Sequence, residues 1–261
     1  MNADAHAAQG GDAPLQHFAE KWLAREPEMR FAEPFFSAGE RPRMRAWGAL
    51  LHELRESRFE LAEPGVAQAK TAWWAEELLR TEAGEPRHPV TLRLPSQAPW
   101  TALARALLAS AADGGRTATT AEALAALQPA AQAVVAVEAA LFGGSADPSA
   151  ERSLAAHWLL SRLPHGLADD DQARLPMHLL ARHHLTAADL PGERSRALLR
   201  DWGLELLEAG APALPAPVAL FRRVRHRLDR QRLRALARTG AAHPPPPHRA
   251  LWHAWRAARG G

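Results

Sequence analysis

Residues 61–80 read LAEPGVAQAKTAWWAEELLR, and the local signals in this stretch are helical. Alanine and leucine dominate it, and both favour helix. Glu63, Pro64 and Gly65 open it, with Pro64 near the first turn, where its missing N–H costs nothing. The helix is expected to run to about Thr81 and to end at the turn Gly84-Glu85-Pro86-Arg87-His88-Pro89. Trp73 and Trp74 are adjacent, so their side chains diverge by about 100°. One indole is expected to face the core or a cavity, the other a neighbouring helix.

Outward from this stretch the pattern stays helical. The chain has no tyrosine and no isoleucine, and strand-like alternation is nearly absent. Helices are expected at about 14–25, 41–61, 64–81, 98–112, 119–143, 148–163, 176–185, 193–209, 215–238 and 248–259. Thr120 is the expected cap of the longest, Gly143 and Gly144 its end, and Pro129 a break or kink within it. The apolar run Phe31 to Phe36 is expected to pack as a plug. Pro244 to Pro247 form a stiff spacer. The expected organisation is a flexible stretch 1–13, one all-α domain over 14–238, and the spacer with a short C-terminal helix over 239–261.

Composition excludes more than it assigns. A length of 261 residues with 47% hydrophobic side chains is ample for a buried core. The absence of cysteine excludes disulfide scaffolds, thiolate metal sites, Fe–S clusters and a cysteine nucleophile. Net charge is +3 and the pI is near 10.3, which over this length is a weak field. Only Lys21 and Lys70 are lysines among 32 basic residues. Such an arginine bias, with abundant Ala, Pro and Leu, also follows from a GC-rich genome, so nucleic acid is not favoured as a partner. No run of roughly 18 apolar residues lacks charge, and Met1 to Ala13 lacks the basic and apolar regions of a secretory signal. The expected location is cytoplasmic, with peripheral membrane contact through the C-terminal region. There the stretch from Phe221 carries Arg222, Arg223, Arg225, Arg227, Arg230, Arg232, Arg234 and Arg238. These are expected to form the solvated face of the final bundle helix. Trp252 and Trp255 either touch lipid headgroups or dock on the bundle.

His178, His183 and His184 make no H-E-x-x-H pattern, and no G-x-S-x-G, Walker or dinucleotide motif is present. The informative signature is the acidic-Pro pair, a basic residue three before Trp-Trp, the acidic-Leu pair and the turn His88-Pro89-Val90. Ala139 to Gly143, Leu160-Ser161-Arg162, Arg174-Leu175-Pro176 and His178 to Leu185 follow in order. Together they resemble the squalene/phytoene synthase family over about residues 15–210. The resemblance implies a class I isoprenoid-synthase-like helical bundle around a central cavity. It implies condensation of isoprenoid diphosphates with Mg²⁺, held by aspartate motifs on facing helices. Magnesium there bridges carboxylates to phosphate oxygens.

The sequence departs from that pattern at the metal motifs. The second motif keeps Arg162, but its aspartate positions read Leu163 and Leu167, with Pro164 between them. Leucine ligates no metal. Asp169, Asp170 and Asp171 downstream read as an exposed acidic loop. For the first motif the helix offers Glu53, Glu56 and Glu60 on one face. Glu53 and Glu56 are the candidate metal site or acidic wall, with a solvated or arginine-paired face as the alternative. Lys70, Arg162 and Arg174 match basic positions of the family and are candidate diphosphate or anion contacts. Trp73 and Trp74 are the candidate cavity aromatics. Branches resembling complex I assembly factors also depart from the aspartate box. The expected function is therefore a divergent family member with lost or weakened catalysis, acting as an isoprenoid- or lipid-binding or assembly-type module. The alternative is an active Mg²⁺-dependent prenyltransferase.

Overall fold

The periodic segments form helices, and no strand occurs among the described residues. The computed structural model of the chain describes residues 13–61, 63–111, 117–161, 175–186, 189–190, 193–210 and 213–260. The helices are α1 (Ala13–Arg25), α2 (Arg41–Arg55), α3 (Pro64–Glu82), α4 (Trp100–Ala111), α5 (Thr120–Phe142), α6 (Pro148–Ser161), α7 (Met177–Arg182), α8 (Arg196–Ala209), α9 (Leu220–Thr239) and α10 (Pro247–Ala258). Leu163, Leu167, Asp169, Asp170, Asp171, Arg162, Arg174 and the stretch 1–12 lie outside the described residues.

Helix ends follow local chemistry. Thr119, one residue before the expected cap, accepts the Glu122 N–H at 3.2 Å and starts α5. Gly143 ends it at φ 72°, a conformation cheap only for glycine. Pro129 does not break α5. Its ring faces solvent, as does Ala125, so water can satisfy the carbonyl that loses its helical donor. α2 does not continue to residue 61 as a regular helix. Glu56–Glu60 widens into a π turn.

α9 occupies the centre and packs against α5, α6, α8 and α10, while α3, α4, α5 and α6 pack in sequence. Trp22, Trp47, Trp100 and Trp202 are buried between them, each worth a few kcal/mol of hydrophobic burial. Two glycines allow close approach. A Cβ at Gly48 would lie 2.4 Å from the Trp22 ring, and one at Gly203 would lie 2.7 Å from the Ala237 nitrogen. The plug expected at 31–36 is present as short 3₁₀ turns, with Ala32 and Phe36 buried. α10 docks on α9 and on the 27–31 turn. Among the described residues α5 is long and apolar enough to cross a membrane. It lies within the bundle, and its Glu138 is buried against Arg222.

Candidate functional site

The candidate acidic wall is closed by lysine. Glu53 and Glu56 are one turn apart near the end of α2 and so share a face. Lys21 Nζ from α1 lies 2.8 Å from Glu53 Oε1 and 2.8 Å from Glu56 Oε2. Lys70 Nζ from α3 lies 2.9 Å from Glu53 Oε2 and also contacts Glu56 Oε2. Burial opposes ionisation of Glu56, but hydrogen bonds from both lysines outweigh it and lower its pKa to about 2. Glu53 is held below its ordinary value in the same way. Lys21 is raised by the two carboxylates despite the burial that opposes its charge. Lysines from two other helices thus pair with both carboxylates. Glu60 leaves this group because the π turn rotates it away from the α-helical face. It pairs with Arg25 at 2.7 Å and with Arg55 at 3.0 Å.

Aromatic rings adjoin the carboxylates. Glu77 is buried and accepts from the Arg87 and His88 amides, each at 2.8 Å, and from Thr91 Oγ1. This anchors the turn after α3 and sets His88 edge-on to Trp74, with centroids 4.8 Å apart, and to Phe18 at 4.5 Å. Burial, then the charge of Lys70, lowers the His88 pKa against the opposing pull of Glu77 and Glu53. Trp74 faces inward with its Nε1 buried and unpartnered. Trp73 is 47% exposed and lies edge-on to His88, with centroids 5.7 Å apart, and to Trp74 at 4.9 Å.

The interior holds a feature that sequence reasoning missed. Arg222, Arg225 and Arg232 do not belong to a solvated face. They are buried in the bundle and paired with carboxylates. Arg225 reaches Glu26 at 2.9 Å, Glu28 at 2.6 Å and Asp229 at 2.7 Å. Arg232 contacts Glu28 at 2.9 Å, and Arg55 contacts Glu26. Arg222 holds Glu138, which also accepts the Trp47 indole N–H at 3.0 Å. Burial works against every charge here, yet Arg225 is held well above its ordinary pKa by Asp229, Glu28 and Glu26. Glu26 is held well below its own by Arg225 and Arg55. Two cavities along this seam measure about 10 Å³ each, room for about one water. His157, His226 and Asp229 line the first, Arg55, Arg222 and Arg225 the second. The legible signal was spacing: residues 222, 225, 229 and 232 recur at i, i+3, i+7 and i+10, one helical stripe.

His178 and His183 lie within hydrogen-bonding distance of carboxylates, Glu205 at 2.9 Å and Asp201 at 2.9 Å. Among the described residues no group of three His, Asp or Glu side chains is placed to hold a metal. The Glu53–Glu56 pair does not suit Mg²⁺, because two ammonium groups already neutralise it and contact three of its four oxygens. Lys70, the one described diphosphate candidate, is itself committed to these carboxylates. No protein-family model matches this sequence, and no curated protein matches it significantly.

Proposed function

We propose that the chain is a divergent relative of the squalene/phytoene synthases, with an isoprenoid-synthase-like bundle and catalysis lost or weakened, that serves as an assembly-type or lipid-binding module. The observation that carries this reading is the closure of Glu53 and Glu56 by Lys21 and Lys70. Metal-assisted ionisation of a diphosphate needs a cation held on carboxylates. Here the carboxylate charge is neutralised internally, and three of the four glutamate oxygens (Glu53 Oε1, Glu53 Oε2 and Glu56 Oε2) each contact a lysine ammonium. The leucines at 163 and 167, where the family motif would place aspartates, support the same conclusion.

A charged interior points the same way. A carbocation pathway is favoured by an apolar, water-free cavity, whereas the centre of this bundle is crossed by the Arg225 and Arg222 ion-pair groups. Such a seam fixes the register of α9 against the segment 26–28 and against α5, a role suited to a rigid scaffold. The test is incubation of the purified chain with farnesyl and geranylgeranyl diphosphates and Mg²⁺. The expected result is no release of diphosphate and no hydrocarbon or alcohol product. Metal-dependent turnover that disappears in Glu53→Ala and Glu56→Ala would overturn the proposal in favour of an active prenyltransferase.

A further inference from the structure

The C-terminal helix is amphipathic in the reverse sense of a solvent-facing helix. α10 turns Ala250, His253, Ala254 and Ala257 inward, at i, i+3, i+4 and i+7. Arg223 Nη1 on α9 donates to the Ala257 carbonyl at 2.8 Å and fixes its C-terminal end. The small side chains are buried, and the large apolar ones are held out. Leu251, Trp252 and Trp255 are 45, 49 and 41% exposed. Scattered exposed apolar residues need no explanation, but three at i, i+1 and i+4 on one rigid helix form a patch.

Its rim is cationic. Arg249, Arg256 and Arg259 are exposed on the same outward face. The Arg256 guanidinium lies 5.3 Å from the Trp252 ring centroid, and that of Arg259 lies 5.0 Å from Trp255. Asp229 is the last acidic residue of the sequence, so every later charged side chain is basic. On the segment 27–35, against which α10 packs, Glu28 pairs with Arg225 and Arg232, and Glu33 with Arg45. Burial, then the surrounding Arg227, Arg234, Arg249 and Arg256, lowers the pKa of His253 at the base of the helix, as a locally positive field requires.

We infer that this face docks on an anionic lipid bilayer, with Leu251, Trp252 and Trp255 entering the headgroup boundary and Arg249, Arg256 and Arg259 engaging lipid phosphates. Indoles are suited to that boundary because one end is apolar and the other donates a hydrogen bond. Guanidinium forks match phosphate oxygens, and neither apolar insertion nor charge alone gives firm adsorption. Duplex nucleic acid would engage the arginines through its phosphates and leave the Leu251–Trp255 patch in water. The inference rests on α10 alone and is independent of the family reading above.

Co-sedimentation of the full chain with vesicles tests it. Binding is expected to phosphatidylcholine vesicles containing a third phosphatidylglycerol, to be absent with phosphatidylcholine alone, and to fall as salt is raised. The variants Arg249→Gln/Arg256→Gln/Arg259→Gln and Trp252→Ala/Trp255→Ala change exposed side chains and should keep the helical circular dichroism of the parent. The arginine variant is expected to lose on the order of a hundredfold in partitioning, the tryptophan variant on the order of tenfold or more. No binding to anionic vesicles at low salt overturns the inference. So does undiminished binding by both variants, or tighter binding to a DNA duplex than to the vesicles. Should either variant unfold, brominated lipid decides instead. Quenching of tryptophan fluorescence that disappears in Trp252→Phe/Trp255→Phe supports the inference, and no quenching overturns it.

Discussion

Lys21 and Lys70, the two lysines of a chain otherwise supplied with arginine, meet the same two carboxylates from different helices. A lysine ammonium is a compact point charge with three donors, whereas a guanidinium is a planar fork. Two ammonium groups can share one pair of glutamates in a space where two forks would collide. Replacing both with methionine leaves burial as the dominant influence on Glu56. Its pKa is expected to rise from about 2 to above the ordinary 4.5, as carboxyl NMR titration would record. The stability loss at neutral pH is expected to be about 1–3 kcal/mol. In the same variant the freed carboxylates should acquire a Mg²⁺-dependent rise in Tm that the parent lacks. An equal Mg²⁺ response in both proteins would show that the lysines do not close the site.

The buried seam makes a second prediction. Arg225 neutralises Glu26, Glu28 and Asp229 where water is scarce. Arg225→Met keeps much of the side-chain volume but strands these carboxylates. The expected cost is about 3–5 kcal/mol at neutral pH by urea denaturation. Stranded buried carboxylates have raised pKa values in the folded state. They therefore take up protons as pH falls, and the gap to the parent protein should narrow in acid. A gap that is constant with pH would mean that lost packing, not charge, sets the cost.

Much of the fold was legible because its signals are local. Pro64 and Gly143 mark helix ends by backbone chemistry alone, and the spacing of Glu53 and Glu56 places them on one face. The partners of those side chains were not legible. Nothing local says that Lys21 reaches Glu53 across 32 positions, or that Arg225 reaches Glu28 across 197. Arginine is usually exposed, so the eight arginines beginning at Arg222 read as a solvated face although three of them are buried. The stripe of residues 222, 225, 229 and 232 carried the contrary signal. Trp73 and Trp74 show the same limit. Adjacency puts one indole inward and the other outward, yet their rings meet edge-on with centroids 4.9 Å apart, and the turn held by Glu77 brings His88 against both.

Close packing makes a third prediction, of reversed sign. Replacing a helical glycine by alanine ordinarily stabilises by up to about 1 kcal/mol. At Gly48 the added Cβ would sit 2.4 Å from Trp22 and must displace a buried indole. Gly48→Ala is expected to destabilise by about 1–3 kcal/mol. Gly65, in the first turn of α3, has no atom within 4 Å of its would-be Cβ. Gly65→Ala should be neutral or stabilising by a few tenths to about 1 kcal/mol. Denaturation midpoints of the two variants should therefore move in opposite directions.

Buried histidines are expected to set the acid limb of stability. His52 accepts from Arg55 Nη2 at Nδ1, 3.0 Å away, so its proton resides on Nε2. Burial and then the Arg55 charge lower its pKa to about 4, against opposing pulls from Glu60 and Glu26. A proton added at Nδ1 would face the guanidinium directly. His226, 2.8 Å from Ser153 Oγ, is likewise lowered to about 4 by burial, with Asp229 opposing and Arg230, Arg222 and Arg227 assisting. The unfolded chain binds these protons near pH 6.5, before the folded one does. The neutral rings therefore contribute stability that is complete above about pH 6.5 and is lost progressively as pH falls towards 4. Each histidine can contribute about 3 kcal/mol to that loss at most. Glu56 adds a separate loss at lower pH, between its ordinary 4.5 and about 2. Unfolding free energy measured against pH should thus begin to fall below pH 6.5, well before carboxylates titrate. In His52→Gln, whose amide oxygen can still accept from Arg55, the slope between pH 6.5 and 4 should be shallower. An unchanged slope would assign the acid limb to other groups.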